Sequence, residues 1–383
     1  LFTSLIYFPF LIAVAIVYWL LPRRALRNVL LILASLAFIW RFDEKAVYVT
    51  LALTLYTYLA GRWISHALPS KAAHRIGVIG LVLALVGCKY LGLLAGTLNS
   101  LTVFLGALPQ FHIEHLFLPL GISYIVFKYI SYLTDIQWGL NKGGSLVELL
   151  CFGSLFTIFV AGPIERFERL QPQLRAPAER FRLTWLQEAF TRIVFGLFKK
   201  LVLADWLGYF TSPVWSNPDG YGWGLRALAL LGYSLQIYFD FAGYSDIAIG
   251  SSRLFGLRIT ENFNNPYLAP NISQFWRRWH ISLSDWIRDY LFFPLSQLSG
   301  KRFWLMFCVP VIAMSLCGLW HGPAWHFMGW GAWHGLGIAV YQYWNQHKRK
   351  HRELARALNK PAYGYLAVAV NFLFVTIGWW WFR

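Results

Sequence analysis

Charge is scarce in this chain. Only 13% of its 383 residues are Asp, Glu, Lys or Arg, against about 25% in a soluble domain. So few charges cannot cover a globular surface, and with 57% hydrophobic residues the solvent must be lipid. Acidic residues are scarcer still, 17 against 34 basic ones, which leaves a net charge of +17. No zinc-finger spacing and no long Lys/Arg tract goes with that charge, so no nucleic acid partner is expected. The basic residues fall in short clusters between apolar runs, as in the cytoplasmic loops of multi-pass proteins. Cysteine is rare too. Cys88, Cys151, Cys308 and Cys317 all lie in apolar runs without a C-x-x-C pair and read as buried thiols. No H-E-x-x-H occurs, and His321 and His326 are five apart, which is poor geometry for one helical face. The expected metal set is none.

Aromatics and long apolar runs are what the chain has in excess. Its 20 Trp and 20 Tyr suit the two membrane interfaces. Apolar segments recur at roughly 4–21, 28–40, 46–61, 76–96, 116–138, 146–162, 189–210, 223–250, 303–320, 323–345 and 362–382. They predict an all-α polytopic membrane protein, a single domain over 1–383, with about nine to eleven transmembrane or re-entrant helices. The first segment lacks a basic flank and a small-residue cleavage site, so it is not expected to be a cleaved signal. Arg23, Arg24 and Arg27 follow it, and the positive-inside rule makes that loop cytoplasmic. The same rule places 62–75, 166–182 and 348–352 inside.

Two polar stretches need their own reading. In 164–190, Phe167, Leu170, Phe181, Trp185 and Leu186 could anchor an amphipathic surface element, and a solvated loop is the alternative. In 282–293, Ser282 and Asp285 match a capping box, apolar residues follow at helical spacing, and Pro294 is the expected stop. A helix that short is re-entrant or interfacial.

The candidate chemistry is concentrated between Glu261 and Gly335. Ionisable groups at membrane depth are costly unless they face a cavity or a partner. His321 precedes Gly322-Pro323, which predicts a new helix starting there and running to about Tyr343, with His321 near its N-terminus. Such a histidine would stay neutral and could act as a general base. A buried histidine bonded across helices is the other reading, and the residues alone leave both open. His280 ends Trp276-Arg-Arg-Trp-His280. Arg277 and Arg278 could hold a phosphate or carboxylate, or could anchor the chain at the cytoplasmic side. His334, thirteen residues beyond His321, should not share its face, so it reads as a supporting or packing residue. His326 is assigned to packing or the interface. Gln236, Asp240 and Tyr244 recur every four residues in an apolar helix, a polar stripe in which Asp240 could line a tunnel. Asp246 reads as scaffold, and Gly243 and Gly250 predict close helix packing.

Taken together, these motifs resemble the membrane-bound O-acyltransferases, among them the bacterial alginate O-acetylation type. The resemblance rests on Leu118-Pro-Leu-Gly-Ile-Ser123, Ala161-Gly-Pro-Ile164 and Gln236-Ile-Tyr-Phe-Asp-Phe-Ala-Gly-Tyr-Ser-Asp246. Glu261-Asn-Phe-Asn264, Phe275-Trp-Arg-Arg-Trp-His280-Ile-Ser-Leu-Ser284 and Arg288-Asp-Tyr290 extend it, and Leu319-Trp-His-Gly322 and Trp333-His-Gly335 complete it in the expected order. It implies a helical ring around a thin partition with a central tunnel. It also implies His321 as the catalytic histidine and His280 as the second active-site histidine. Arg277, Asp240, Trp276, Trp320, Asn264 and Tyr244 are then expected at the substrate or tunnel surface. Lys128 departs from the glutamine of the pattern, Ala242 from a serine, and Ser296-Gln-Leu-Ser-Gly300 from a Gly-Gly-Asn turn. Relatives continue beyond Arg383 with further helices.

The function so implied is transfer of acetyl from a cytosolic thioester to an extracytoplasmic polysaccharide such as alginate or peptidoglycan. No bound cofactor is expected, and acetyl-CoA or another acyl thioester serves as donor substrate. The expected partners are the lipid bilayer, the acyl donor, the polysaccharide acceptor and a periplasmic SGNH-type acetyltransferase, with the chain a multi-pass protein of the bacterial inner membrane. The alternatives are a transporter or channel that uses the histidines as a proton relay, a D-alanyl transferase of teichoic-acid modification, or an anchoring scaffold subunit.

Overall fold

The computed structural model describes residues 4, 6–66, 70–105, 118–299, 303–358 and 360–383, and every regular element among them is helical. The apolar runs expected at 4–21 and 116–138, and the 62–75 loop, include residues outside the described set. Three helices among the described residues are long and apolar enough to cross a membrane: Arg24–Phe42, Lys71–Lys89 and Pro361–Phe382. Tyr7–Leu20, Leu91–Phe104 and Phe307–His321 are apolar but shorter. Length and composition therefore do not reach the expected nine to eleven. The other long helices carry polar cargo, Asp240 and Asp246 in Trp223–Arg253 and a basic end in Trp325–Lys350.

The described chain divides into two compact units, 1–193 with 248–260, and 194–247 with 261–383. In the first, Ile122–Gln137 is the central helix, and twelve of its sixteen residues are buried. It packs against Glu44–His66 and Lys71–Lys89. Lys128 is buried there and donates to the Phe152 carbonyl at 3.2 Å. Leu146–Ser154 opens with a reciprocal capping box. Ser145 Oγ accepts from Glu148 N, and Glu148 Oε2 accepts from Ser145 N at 2.8 Å.

The 164–190 stretch folds onto this unit as an amphipathic element rather than a solvated loop. Helix Phe167–Arg175 buries Phe167, Leu170 and Leu174. Trp185 is also buried, while Phe181 and Leu186 stay exposed. The polar residues after the first helix also hold this stretch in place. Arg24 Nε donates to Ala176 O at 2.9 Å, Arg27 Nη1 to Glu179 O at 2.9 Å and Asn28 Nδ2 to Leu174 O at 3.0 Å. The last carbonyls of a helix need donors, and for Leu174 and the cap residue Ala176 these side chains supply them.

The second unit is built on a hairpin of Phe303–His321 and Trp325–Lys350. The two backbones touch because glycines line the seam. A Cβ on Gly331 would run into the Met314 carbonyl, one on Gly318 into that of Phe327, and one on Gly335 would lie 2.5 Å from Val311 Cα. Gly331 and Gly335 have the four-residue spacing that lets membrane helices approach closely. Gly243 fits the same logic: a Cβ there would lie 2.7 Å from Gly196 O. Within the first unit, Gly250 does so against Ala189 O at 2.9 Å.

The 282–293 expectation is corrected in two places. Ile281–Ile287 is helical with His280 at the N-cap, so Ser282 lies inside the helix and does not cap it. Pro294 does not stop the chain either. A π-helical segment Arg288–Phe292 runs without a break into Phe293–Ser299, with the Phe293 N–H bonding back to Arg288 O, so the helical backbone passes through the proline.

Candidate active site

His321 is the last residue of its helix, and the next helix begins at Trp325 after Gly322-Pro323-Ala324. It therefore sits at the carbonyl end of one helix, not at the amide end of the next, and the argument from a positive helix terminus does not apply. Three rings surround its imidazole, with centroids at 4.9 Å for Trp320, 5.3 Å for Trp330 and 5.2 Å for Phe382. Helix Trp325–Lys350 runs on to Lys350, past the expected Tyr343.

His280 approaches from a different segment. It is buried, its backbone is left-handed at φ 42°, and its ring meets Phe241 edge-on at 4.7 Å and Trp320 at 6.2 Å. A non-glycine residue in that backbone region costs about 1–3 kcal/mol, and such strain clusters at functional sites. Trp320 thus meets both histidine rings.

One side chain fixes the His280 ring. Asn262 Oδ1 faces the Ser282 amide at 3.3 Å, the Ser282 hydroxyl at 2.9 Å and His280 Nδ1 at 3.1 Å, while Asn262 Nδ2 donates to Ser245 Oγ at 3.2 Å. A backbone N–H can only donate, so the Asn262 atom facing it must be oxygen. His280 Nδ1 must then carry a proton, and the neutral ring keeps its lone pair on Nε2. That Nε2 is buried and meets no hydrogen-bond partner among the described residues. A buried polar atom in that state needs a reason.

A second aromatic layer adjoins the pair. His334 is fully buried, 5.2 Å from Trp276 and 4.9 Å from Trp330, and neither of its nitrogens meets a partner among the described residues. Trp276 and Trp330 are 5.8 Å apart. His334 is therefore in the supporting position expected of it. Beyond Trp276 lies a cavity of about 470 Å³ with a mostly apolar wall that includes Leu283, Ile287, Met314 and Cys317. A more polar cavity of about 660 Å³ shares Ser273, Arg277, Phe292 and Gln342 with it and reaches Arg349. Arg277 is exposed at this junction, and no carboxylate pairs with it among the described residues. Arg278 instead ties its own segment to Leu268 O and Gln274.

The structure thus gathers His280, His321, Trp320 and Trp276 along one aromatic seam, and of the candidate residues Trp276 and Arg277 line the adjoining cavities. Tyr244 is half-buried against Phe241, at 6.1 Å. Asp240 is half-exposed and ion-paired with Lys200, and Asn264 is exposed, its backbone N–H donating to Arg278 O. Lys199 pairs with the more buried Asp246 at 2.6 Å, as a scaffold residue should. His326 Nδ1 lies 2.8 Å from Trp381 O. Asn262, Trp330, Phe382 and the two lysines escaped the sequence reading. Asn262 stood in a motif already singled out, but spacing alone cannot tell it from Asn264. The pairings Asn264 N to Arg278 O and Ile281 N to Asn262 O decide which asparagine turns inward.

Comparison with known proteins identifies the family. Residues 123–379 match the model of the membrane-bound O-acyltransferase family. A probable alginate O-acetylase of Azotobacter vinelandii is 38% identical over 84% of this chain and 64% of its own length. One of Pseudomonas aeruginosa is 35% identical over 100% of this chain and 72% of its own. A peptidoglycan O-acetyltransferase of Helicobacter pylori is 30% identical over 92% and 70%. The chain therefore spans about two thirds of the length of these relatives. With the family match running through both units and both histidine motifs, the chain belongs to the membrane-bound O-acyltransferase family.

Proposed function

We propose that this chain is a membrane-embedded O-acyltransferase. It moves acetyl from a cytosolic acyl thioester to a hydroxyl of an extracytoplasmic polysaccharide, directly or through a periplasmic SGNH-type partner. The observation that carries the reading is His280 and His321 both in ring contact with Trp320, with His280 Nε2 buried and without a hydrogen-bond partner among the described residues. The relatives' names, alginate and peptidoglycan acetylation, support the acceptor class.

The donor enters at the basic end of Trp325–Lys350, which the positive-inside rule places in the cytosol. Arg277 and Arg349 hold its phosphates, and the thioester arm extends along the apolar cavity toward Trp276. His321 takes the proton of the attacking hydroxyl, the oxygen adds to the thioester carbonyl, and the C–S bond breaks with the sulfur leaving as thiolate. The proton on His321 then returns to the sulfur. Neutral His280 presents Nε2 as an acceptor and so orients the hydroxyl; stabilising the oxyanion would require its doubly protonated form. This reading places the chain in the bacterial inner membrane as a multi-pass protein working as one domain, with the shorter apolar helices and the long polar-bearing ones completing the membrane region.

The test is reconstitution of the full chain with acetyl-labelled acetyl-CoA, acceptor glycan and partner. Wild type should place label on glycan or partner, and His321→Ala should lose about 10²–10⁴ in rate, the worth of a general base. Equal labelling in both removes His321 from the mechanism. Label that crosses the membrane without changing its covalent bond supports transport instead.

A further inference from the structure

The first unit has a polar cavity of about 640 Å³ that the acyl-transfer reading does not use. Five guanidinium groups line it, Arg24, Arg169, Arg182, Arg253 and Arg258, against two carboxylates, Glu168 and Glu179. Three of the arginines are committed. Arg24 donates to Ala176 O and the Tyr18 hydroxyl, Arg182 pairs with Glu179 at 2.8 Å, and Arg253 pairs with Glu188. Arg182 and Arg253 also stack on Trp185, at 5.1 and 5.2 Å. The other two are not so held. Arg169 reaches Glu165 only at 3.6 Å, and the exposed Arg258 guanidinium has no ion pair among the described residues.

Beside this basic wall the surface turns apolar. Phe181, Leu183 and Leu186 are 47%, 62% and 40% exposed, and Phe181 belongs to a ring cluster with Trp19 and Trp185. Arginines arranged around a hollow suit phosphate oxygens, because each guanidinium offers paired donors. A free phosphate would need only the arginines. An amphiphile needs the arginines and the apolar surface together, and tryptophan rings between the two mark the depth of a membrane interface. The positive-inside rule puts this face at the cytoplasmic leaflet, where basic pockets meet anionic headgroups.

We propose that this cavity binds the phosphodiester headgroup of an anionic phospholipid. Arg169 and Arg258 grip the phosphate, Arg182 and Arg253 close the wall, and the acyl chains lie over Phe181, Leu183 and Leu186. The site is separate from acyl transfer and does not depend on that reading.

The experiment uses the full chain in neutral detergent, titrated with phosphatidylglycerol, with phosphatidylcholine of the same chains and with coenzyme A. Bound lipid is read by native mass spectrometry and by melting temperature. Phosphatidylglycerol should bind and raise the melting temperature of wild type, phosphatidylcholine should not, and Arg169→Gln/Arg258→Gln should weaken phosphatidylglycerol roughly tenfold or more. Both positions are exposed, and a melting temperature equal to wild type without lipid shows that the variant is folded. Arg180→Gln, an exposed arginine outside the cavity lining, should leave lipid binding unchanged. Equal binding of the two lipids, or undiminished binding in the double variant, overturns the proposal. So does displacement of phosphatidylglycerol by coenzyme A, which would assign the cavity to a nucleotide phosphate.

Discussion

Asn262 holds His280 by its ring, Oδ1 accepting the Nδ1 proton at 3.1 Å from eighteen residues earlier in the chain. The same oxygen takes the amide and hydroxyl of Ser282, so one buried asparagine both anchors the start of helix Ile281–Ile287 and sets the His280 tautomer. The start of a helix and the orientation of a candidate active-site histidine thus meet on a third residue.

Because Asn262 acts through His280, their losses should not add. Asn262→Ala and His280→Ala should each lower kcat more than they raise KM, and the double variant should be no slower than His280→Ala alone. A multiplicative loss in the double variant would show that Asn262 contributes by another route. A melting curve for each variant separates a mispositioned ring from a lost fold.

The hairpin glycines supply a matched pair of substitutions on one helix. A Cβ on Gly331 meets the Met314 carbonyl, which is backbone and cannot swing aside, whereas a Cβ on Gly329 meets nothing within 4 Å. Gly331→Ala should therefore cost about 1–3 kcal/mol through overpacking. Gly329→Ala should be neutral, or gain up to about 1 kcal/mol from helix propensity. Thermal unfolding in one detergent compares them, and equal effects would refute backbone contact at the seam.

Two of the ion pairs of Trp223–Arg253 should also part company. Asp246 is buried and faces Lys199, while Asp240 has a 47% exposed side chain and faces Lys200. Asp246→Asn leaves a cation against a buried site and should cost about 3–5 kcal/mol. Asp240→Asn should cost about 1 kcal/mol or less. Comparable losses would mean that the burial difference does not govern these pairs.

These contrasts show where the sequence was legible. Apolar runs, scarce charge and ordered motifs were enough to predict an all-helical chain and the neighbourhood of His280 and His321. Features that depend on what a side chain meets were not. Ser145 and Glu148 form a real capping box that passed unnoticed, while Ser282 and Asp285 have the same spacing and form none, because Asn262 already takes the Ser282 donors. His321 was placed at a helix start from the proline that follows it, yet the preceding helix runs through to His321. The ion pair of Asp240 is not legible either, because its partner, Lys200, lies forty residues away on another helical segment. Local signals survive in a sequence; partners supplied by distant segments do not.

Trp276 provides the last contrast. It lines the apolar cavity and also packs against Trp330 at 5.8 Å, which in turn meets His321 at 5.3 Å. On the proposed donor path, an indole in that place would limit how far an acyl chain can extend beyond the thioester carbonyl. Trp276→Phe should keep the aromatic seam while shortening the wall, so longer acyl thioesters gain relative to acetyl. One added methylene in such a pocket is worth about 1–3 kcal/mol, or roughly 10–200-fold in relative kcat/KM. Competing acetyl- and butyryl-CoA in one assay measures the ratio directly. A ratio unchanged from wild type, in a variant that still transfers acetyl, would place the acyl group elsewhere than against Trp276.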